Sequence, residues 1–256
     1  MRRTRVSRLL PLLAALFAPQ FVTRAQAADW YTGAPVIGVA APRAPAFGVA
    51  IDAAVTVDSK DSRFATLIGT IAPFTSFDHS GMRMRLGAVA GQYAYDSSNV
   101  GRVKGTQEDG SFMVGYEWVA RRFSLAAYAG GDINNNKIDK VDANNTSTGT
   151  AYGVKVAIDF NWRPTDDMFL SGVASYSTAH NSYYSRLKYG FAMLPGIYIG
   201  PEALFLGDDF FRQWRAGGHI TGASIGPLQF GISGGILNDR VRGSGVYGIL
   251  DARAAF

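Results

Sequence analysis

The stretch from Tyr152 to Trp162 reads Tyr-Gly-Val-Lys-Val-Ala-Ile-Asp-Phe-Asn-Trp, and its parity limits the fold more than any other part of the chain. In an extended backbone Tyr152, Val154, Val156, Ile158, Phe160 and Trp162 share one face, and Gly153, Lys155, Ala157, Asp159 and Asn161 share the other. A soluble sandwich strand alternates too, but rarely for so long with aromatic rings at both ends. A strand that crosses lipid needs about 9–11 tilted residues, apolar outside and polar inside, with rings at the two interfaces. Tyr152–Trp162 therefore predicts a transmembrane β-strand.

The same alternation recurs along the chain. Phe47 to Val57, Phe64 to Ala72, Met82 to Ala90, Phe112 to Ala120 and Phe123 to Ala129 precede it. Met168 to Thr178, Tyr183 to Met193, Ile197 to Phe205, Phe211 to Ile220, Leu228 to Ile236 and Val246 to Phe256 follow. The fold class predicted is all-β, an antiparallel outer-membrane β-barrel of about 12 strands over residues 47–256, the even number such barrels require. Thirty glycines, twelve tyrosines and sixteen phenylalanines suit many turns and two chemically different faces. With both termini periplasmic, the long connections Asp96–Gly110, Asp132–Gly149 and Asn238–Gly245 fall outside. The short ones at Val119–Arg122, Arg163–Asp167 and Leu194–Gly196 fall inside. The outer connections near Asp58–Asp61, Ala179–Ser182 and Gly207–Phe210 are also short. The chain ends on Phe256, and a closing aromatic is common in barrels delivered to the outer-membrane assembly machinery.

The N-terminus supplies an address. Arg2, Arg3, Arg5 and Arg8 precede an apolar run, Leu9 to Ala18, and Ala25-Gln26-Ala27 offers small residues for cleavage. Residues 1–27 are predicted to be a secretory signal peptide, their apolar run being too short to span a bilayer as a helix. They hold five arginines and no acidic residue, so without them Lys+Arg falls from 25 to 20, equal to Asp+Glu. The apparent basicity belongs to the signal, and a nucleic-acid partner loses its support. Residues 28–46 form an extended lead-in with Pro35, Pro42 and Pro45, placed either inside the barrel or in the periplasm. The absence of cysteine excludes disulfides and thiolate metal sites.

Parity assigns the candidate lumen-facing residues Arg83, Arg85, Glu117, Lys155, Asp159, Arg186, Lys188, Glu202 and Arg215, with Asp52, Asp251 and Arg253 beside them. So many internal charges must be paired or wet. They form either a salt-bridged, stiffening lumen or a passage or groove for a polar glycan or small solute. Glu202 follows Gly200-Pro201 inside a strand, where proline normally marks an edge or a bulge, and it has no evident partner for sugar hydrolysis. His180-Asn181-Ser182 has the spacing of outer-membrane lipid A deacylases, although parity turns both side chains inward; a polar loop rim is the plainer reading. Asp132-Ile-Asn134-Asn-Asn136 begins like a calcium loop but has Lys137 and Ala143 where glycine and glutamate belong, so it reads as an Asn-rich surface loop. His79 and His219 have no ligand spacing around them. No catalytic residue, metal or cofactor is predicted.

At Tyr176-Ser177-Thr178-Ala179, Gly200-Pro201-Glu202 and Arg215-Ala-Gly-Gly the chain resembles the cellulose biosynthesis protein BcsS family. Ala28-Asp29-Trp30-Tyr31-Thr32-Gly33 and Tyr247-Gly248 resemble it too. The likeness covers most of the chain after the signal, and no motif in it is catalytic. It implies a non-enzymatic outer-membrane barrel in bacterial cellulose or exopolysaccharide production. Its implied partners are outer-membrane lipid, cellulose or another exopolysaccharide, and the cellulose-synthesis machinery. A general small-solute porin and an outer-membrane lipid A-modifying esterase are the alternatives.

Overall fold

The computed structural model describes residues 47–256. The predicted signal peptide, 1–27, and lead-in, 28–46, lie outside the described residues. Twelve strands follow one another: β1 (Gly48–Asp58), β2 (Ser62–Ala72), β3 (Gly81–Ser97), β4 (Gly101–Ala120), β5 (Phe123–Ile138), β6 (Gly149–Thr165), β7 (Met168–Ser177), β8 (Tyr183–Leu194), β9 (Ile197–Gly207), β10 (Arg212–Ile225), β11 (Leu228–Asp239) and β12 (Gly243–Ala255). Each pairs antiparallel with its sequence neighbours, and β12 closes on β1. The seam is completed by Val49 N–H donating to the Phe256 carbonyl at 3.0 Å and Phe256 N–H to the Val49 carbonyl at 2.8 Å. Closure leaves no strand edge unpaired, which an apolar environment demands of any backbone.

The two faces sort by chemistry. On β6, Tyr152, Val154, Val156, Ile158 and Trp162 are exposed on the outside, while Ala157 and Asn161 are buried within. Leu67, Leu86, Val114, Ile220, Ile232, Ile236 and Leu250 continue the apolar exterior around the barrel. Trp118, Phe123, Trp162 and Phe191 rim the end where Val49 and Phe256 meet. Tyr152, Tyr176, Phe205 and Trp214 rim the other. Aromatic rings that bound an apolar belt are the arrangement expected at two membrane interfaces.

Three expectations are corrected. The long connections are shorter than the sequence suggested, because the strands outrun the belt. The ladder β3–β4 runs to Ser97↔Gly101 and β5 continues to Ile138, leaving residues 98–100 and 139–148 as the connections. Along 101–110 the outward residues are Arg102, Lys104, Thr106 and Glu108. The backbone stays paired there, but hydrophobic alternation stops where the apolar belt stops. The Asn-rich stretch is not a surface loop: Asp132, Asn134 and Asn136 are buried inward positions of β5. Nor does Pro201 make a bulge, since β9 keeps one register with β10 through Pro201↔Gly218 and Glu202↔Gly217. Pro201 points outward and Glu202 inward by plain alternation. The irregularity in β10 comes later, between Thr221 and Ala223, where Gly222 takes a left-handed φ of 101°.

Candidate functional site in the barrel interior

At the end where Val49 and Phe256 meet, the β2–β3 connection folds into the lumen. Phe77 packs on Ala50 and Ala72, and Arg83, fully buried, straps the connection to the wall. Its Nε donates to Glu117 at 2.7 Å, and its two terminal nitrogens donate to Thr75 Oγ1 at 3.0 Å and to the His79 carbonyl at 2.7 Å. Across the lumen Phe169 meets Tyr198 edge-on at 5.1 Å and lies 5.7 Å from the His219 ring. His219 is held between Thr221 Oγ1 at 3.0 Å and the Tyr189 carbonyl at 3.2 Å.

The next layer spans the barrel. Arg85 of β3 donates to Asp159 of β6 and lies over the Tyr128 ring at 3.8 Å. Arg253 of β12 donates to Asp52 of β1 at 3.0 Å. A cavity of about 80 Å³ lies on the Val49–Phe256 side of this layer and one of about 420 Å³ on the loop side. Arg85 and Asp159 are the two residues that line both, so their ion pair lies between the two cavities as a partition within this layer.

Above the partition the charges gather on facing walls. Arg186 donates to Glu202 at 2.8 Å and to Asp251 at 2.9 and 3.0 Å; Lys188 donates to Asp251 at 3.1 Å. Glu202 also accepts from Ser233 Oγ and Tyr247 OH, each at 3.0 Å. Such dense hydrogen bonding is what a fully buried carboxylate requires. On the opposite wall Lys155 lies 3.2 Å from Asp109 and 3.7 Å from Asp132. Near the loop end Arg242 bridges Asp239 at 2.7 Å and Asp58 at 3.8 Å, and Arg215 lies 3.7 Å from Asp58. The β5–β6 connection turns Asp142, Asn145 and Ser147 inward, and Asn145 Nδ2 donates to Tyr95 OH at 3.1 Å. In the β9–β10 connection burial pushes the Asp208 carboxyl above its ordinary range, against the pull of N–H bonds from Phe210 and Phe211.

The structure places all nine candidate residues on inner positions and joins most of them in pairs. Arg83 meets Glu117, Arg85 meets Asp159, and Arg186 and Lys188 share Glu202. Glu202 is held by Arg186, Lys188, Ser233 and Tyr247. Lys155 and Arg215 instead meet Asp109, Asp132 and Asp58, which sequence reasoning missed, along with Asp239 and Arg242. Carrying strand parity past the apolar belt would have put Asp109 and Asp132 beside Lys155. Ser182 lines the large cavity, and His180 sits in a single 3₁₀ turn with a left-handed φ of 52°. Among the described residues no group of three or more His, Asp or Glu side chains is placed to hold a metal.

Solved structures with the same general architecture are distant in sequence. The β domain of the Bordetella autotransporter BrkA shares 11% identity, covering 82% of this chain and 98% of that one, with a TM-score of 0.47. The transport unit of the Escherichia coli autotransporter AIDA-I shares 11%, covering 86% and 94%, at 0.45. A KdgM porin shares 10%, covering 81% and 99%, at 0.44. No curated protein matches the chain. The family described as cellulose biosynthesis protein BcsS matches residues 47–256, the whole of the barrel from before β1 to the last residue. The chain belongs to the cellulose biosynthesis protein BcsS family.

Proposed function

We propose that this protein is a non-enzymatic outer-membrane component of bacterial cellulose production, acting in export, anchoring or surface organisation. The observation that carries the reading is the family match, which spans every strand of the barrel. The exterior supports the location, since an apolar belt between aromatic rims is stable in lipid and not in water. In this reading the short turns and both ends of the described chain face the periplasm. The interior supports a role without bond-making: the carboxylates Glu117, Asp159, Glu202 and Asp251 are bridged to arginine or lysine partners.

The test combines fractionation with a deletion strain. The native protein is expected in the detergent-extracted outer-membrane fraction, migrating differently in gels before and after boiling. Deletion is expected to lower cellulose measured as acid-resistant glucan, and the wild-type chain to restore it. Unchanged glucan in the deletion strain would overturn the process reading; recovery as a detergent-free periplasmic protein would overturn the location. A small-solute channel is the second reading, favoured by the 420 Å³ cavity, and it predicts conductance with no change in cellulose. The esterase reading has no comparable support, because Ser182 faces the interior and not the lipid.

A further inference from the structure

The large cavity differs in chemistry from the layers that bound it. Six cations lie on its wall, and each is bridged to a carboxylate: Arg85, Lys155, Arg186, Lys188, Arg215 and Arg242. An ionic guest would have to compete with partners already in place. One stretch of wall, made by β3, β4 and β5, is different. Tyr93 projects from β3, its ring seated against the Gly105 backbone, where an added Cβ would come within 2.3 Å of it. Beside it in the ladder stand Gln107 and Asn136, a direct cross-strand pair, and then Asn134 opposite Asp109. Asn134 and Asn136 are 2% and 3% exposed, and their side-chain oxygens accept no hydrogen bond among the described residues. Buried amide oxygens without donors cost free energy until something supplies one.

We infer that this wall is a binding site for a neutral, polyhydroxylated chain, a short segment of β-linked glucan. The ring of Tyr93 offers a flat apolar face for the C–H face of a pyranose. The amides of Gln107, Asn134 and Asn136 line the same cavity along the neighbouring strands and can both accept from and donate to hydroxyls. A volume of about 420 Å³ falls within the roughly 300–1,000 Å³ typical of small-ligand sites. Because the cations on the wall are each bridged already, and the Asp208 carboxylate stands near Tyr93, the site favours hydroxyls over carboxylates. The inference deepens the cellulose reading given above and rests on it for the biological source of the glucan.

The test is calorimetric titration of the full-length protein, purified in detergent and checked for folding by its mobility shift on boiling. The probes are cellotetraose and its C6-oxidised, carboxylated counterpart. Cellotetraose is expected to bind at least tenfold more tightly than the oxidised form. Tyr93→Ala and Asn134→Ala are each expected to weaken it about tenfold, the loss of one principal contact. Gln107→Ala, at a less buried position, serves if either variant fails to fold. Folded wild-type protein that takes up no cellotetraose would overturn the site, as would tighter binding of the oxidised probe or unchanged binding in the folded variants. The same variants separate this inference from the process reading. Full rescue of cellulose in a deletion strain by Tyr93→Ala would sink the site's role and spare the process. Unchanged cellulose after deletion, with cellotetraose binding intact, would do the reverse.

Discussion

Glu202→Gln tests the organisation of the interior most directly. The side chain is inaccessible to solvent and faces Arg186 at 2.7 Å and Lys188 at 4.0 Å, while Asp251 is the second carboxylate of the cluster. Glutamine keeps the shape and one acceptor oxygen but removes the charge, so two buried cations share one carboxylate. Removing one member of a buried ion pair typically costs about 3–5 kcal/mol. The low end applies, about 3 kcal/mol, because Asp251 remains and both cations touch the large cavity. Lys188→Met removes the surplus positive charge in turn. If the loss in Glu202→Gln comes from charge imbalance, the double variant should recover about 2 kcal/mol of it, within the usual range of coupling energies for contacting residues. The assay is urea unfolding in lipid vesicles, followed by the mobility shift and tryptophan emission. A Glu202→Gln loss below about 1 kcal/mol, or single-variant losses that simply add in the double, would refute the reasoning.

Other consequences are more easily checked. Val156→Lys, midway between the aromatic rims of β6, should cost about 2–4 kcal/mol in lipid or prevent assembly, judged by loss of the boiling-dependent shift. Breaking the partition with Arg85→Ala plus Asp159→Ala should raise single-channel conductance in planar bilayers over the wild type. Equal conductance would place the barrier elsewhere, at Phe77 and the Arg83–Glu117 strap.

The barrel and its inward charges were legible because lipid imposes a period of two on sequence. Lys155 and Asp159 stand between Val154, Val156, Ile158 and Phe160, so their facing follows from alternation alone. Pairing was not legible, because Arg85 and Asp159 meet across the lumen, from strands that share no ladder. That contact depends on closure, not on local pattern. The extension of β4 and β5 beyond the belt was hidden for another reason: at Arg102, Lys104, Thr106 and Glu108 both faces of the strand are polar. There backbone pairing leaves no hydrophobic trace. Reading Asp132 to Asn136 as a surface loop was the same error, and it concealed the amides that distinguish the cavity wall.

The distribution of charge also separates stiffening from recognition. Ion pairs inside a protein add little net stability over apolar packing of equal volume, since desolvation offsets most of their attraction. A lumen that needed only rigidity would be filled, as it is where Phe77, Phe169 and Tyr198 pack at the end where Val49 and Phe256 meet. The loop side instead keeps a 420 Å³ space and spends its carboxylates on neutralising the cations around it. Such a wall presents little net field to a guest, while Gln107, Asn134 and Asn136 still present oriented dipoles. An ion crossing this interior passes the Arg85–Asp159 pair and competes with bridges already made. A neutral hydroxylated chain entering from the loop side meets amides and an aromatic face, and disturbs none of those pairs.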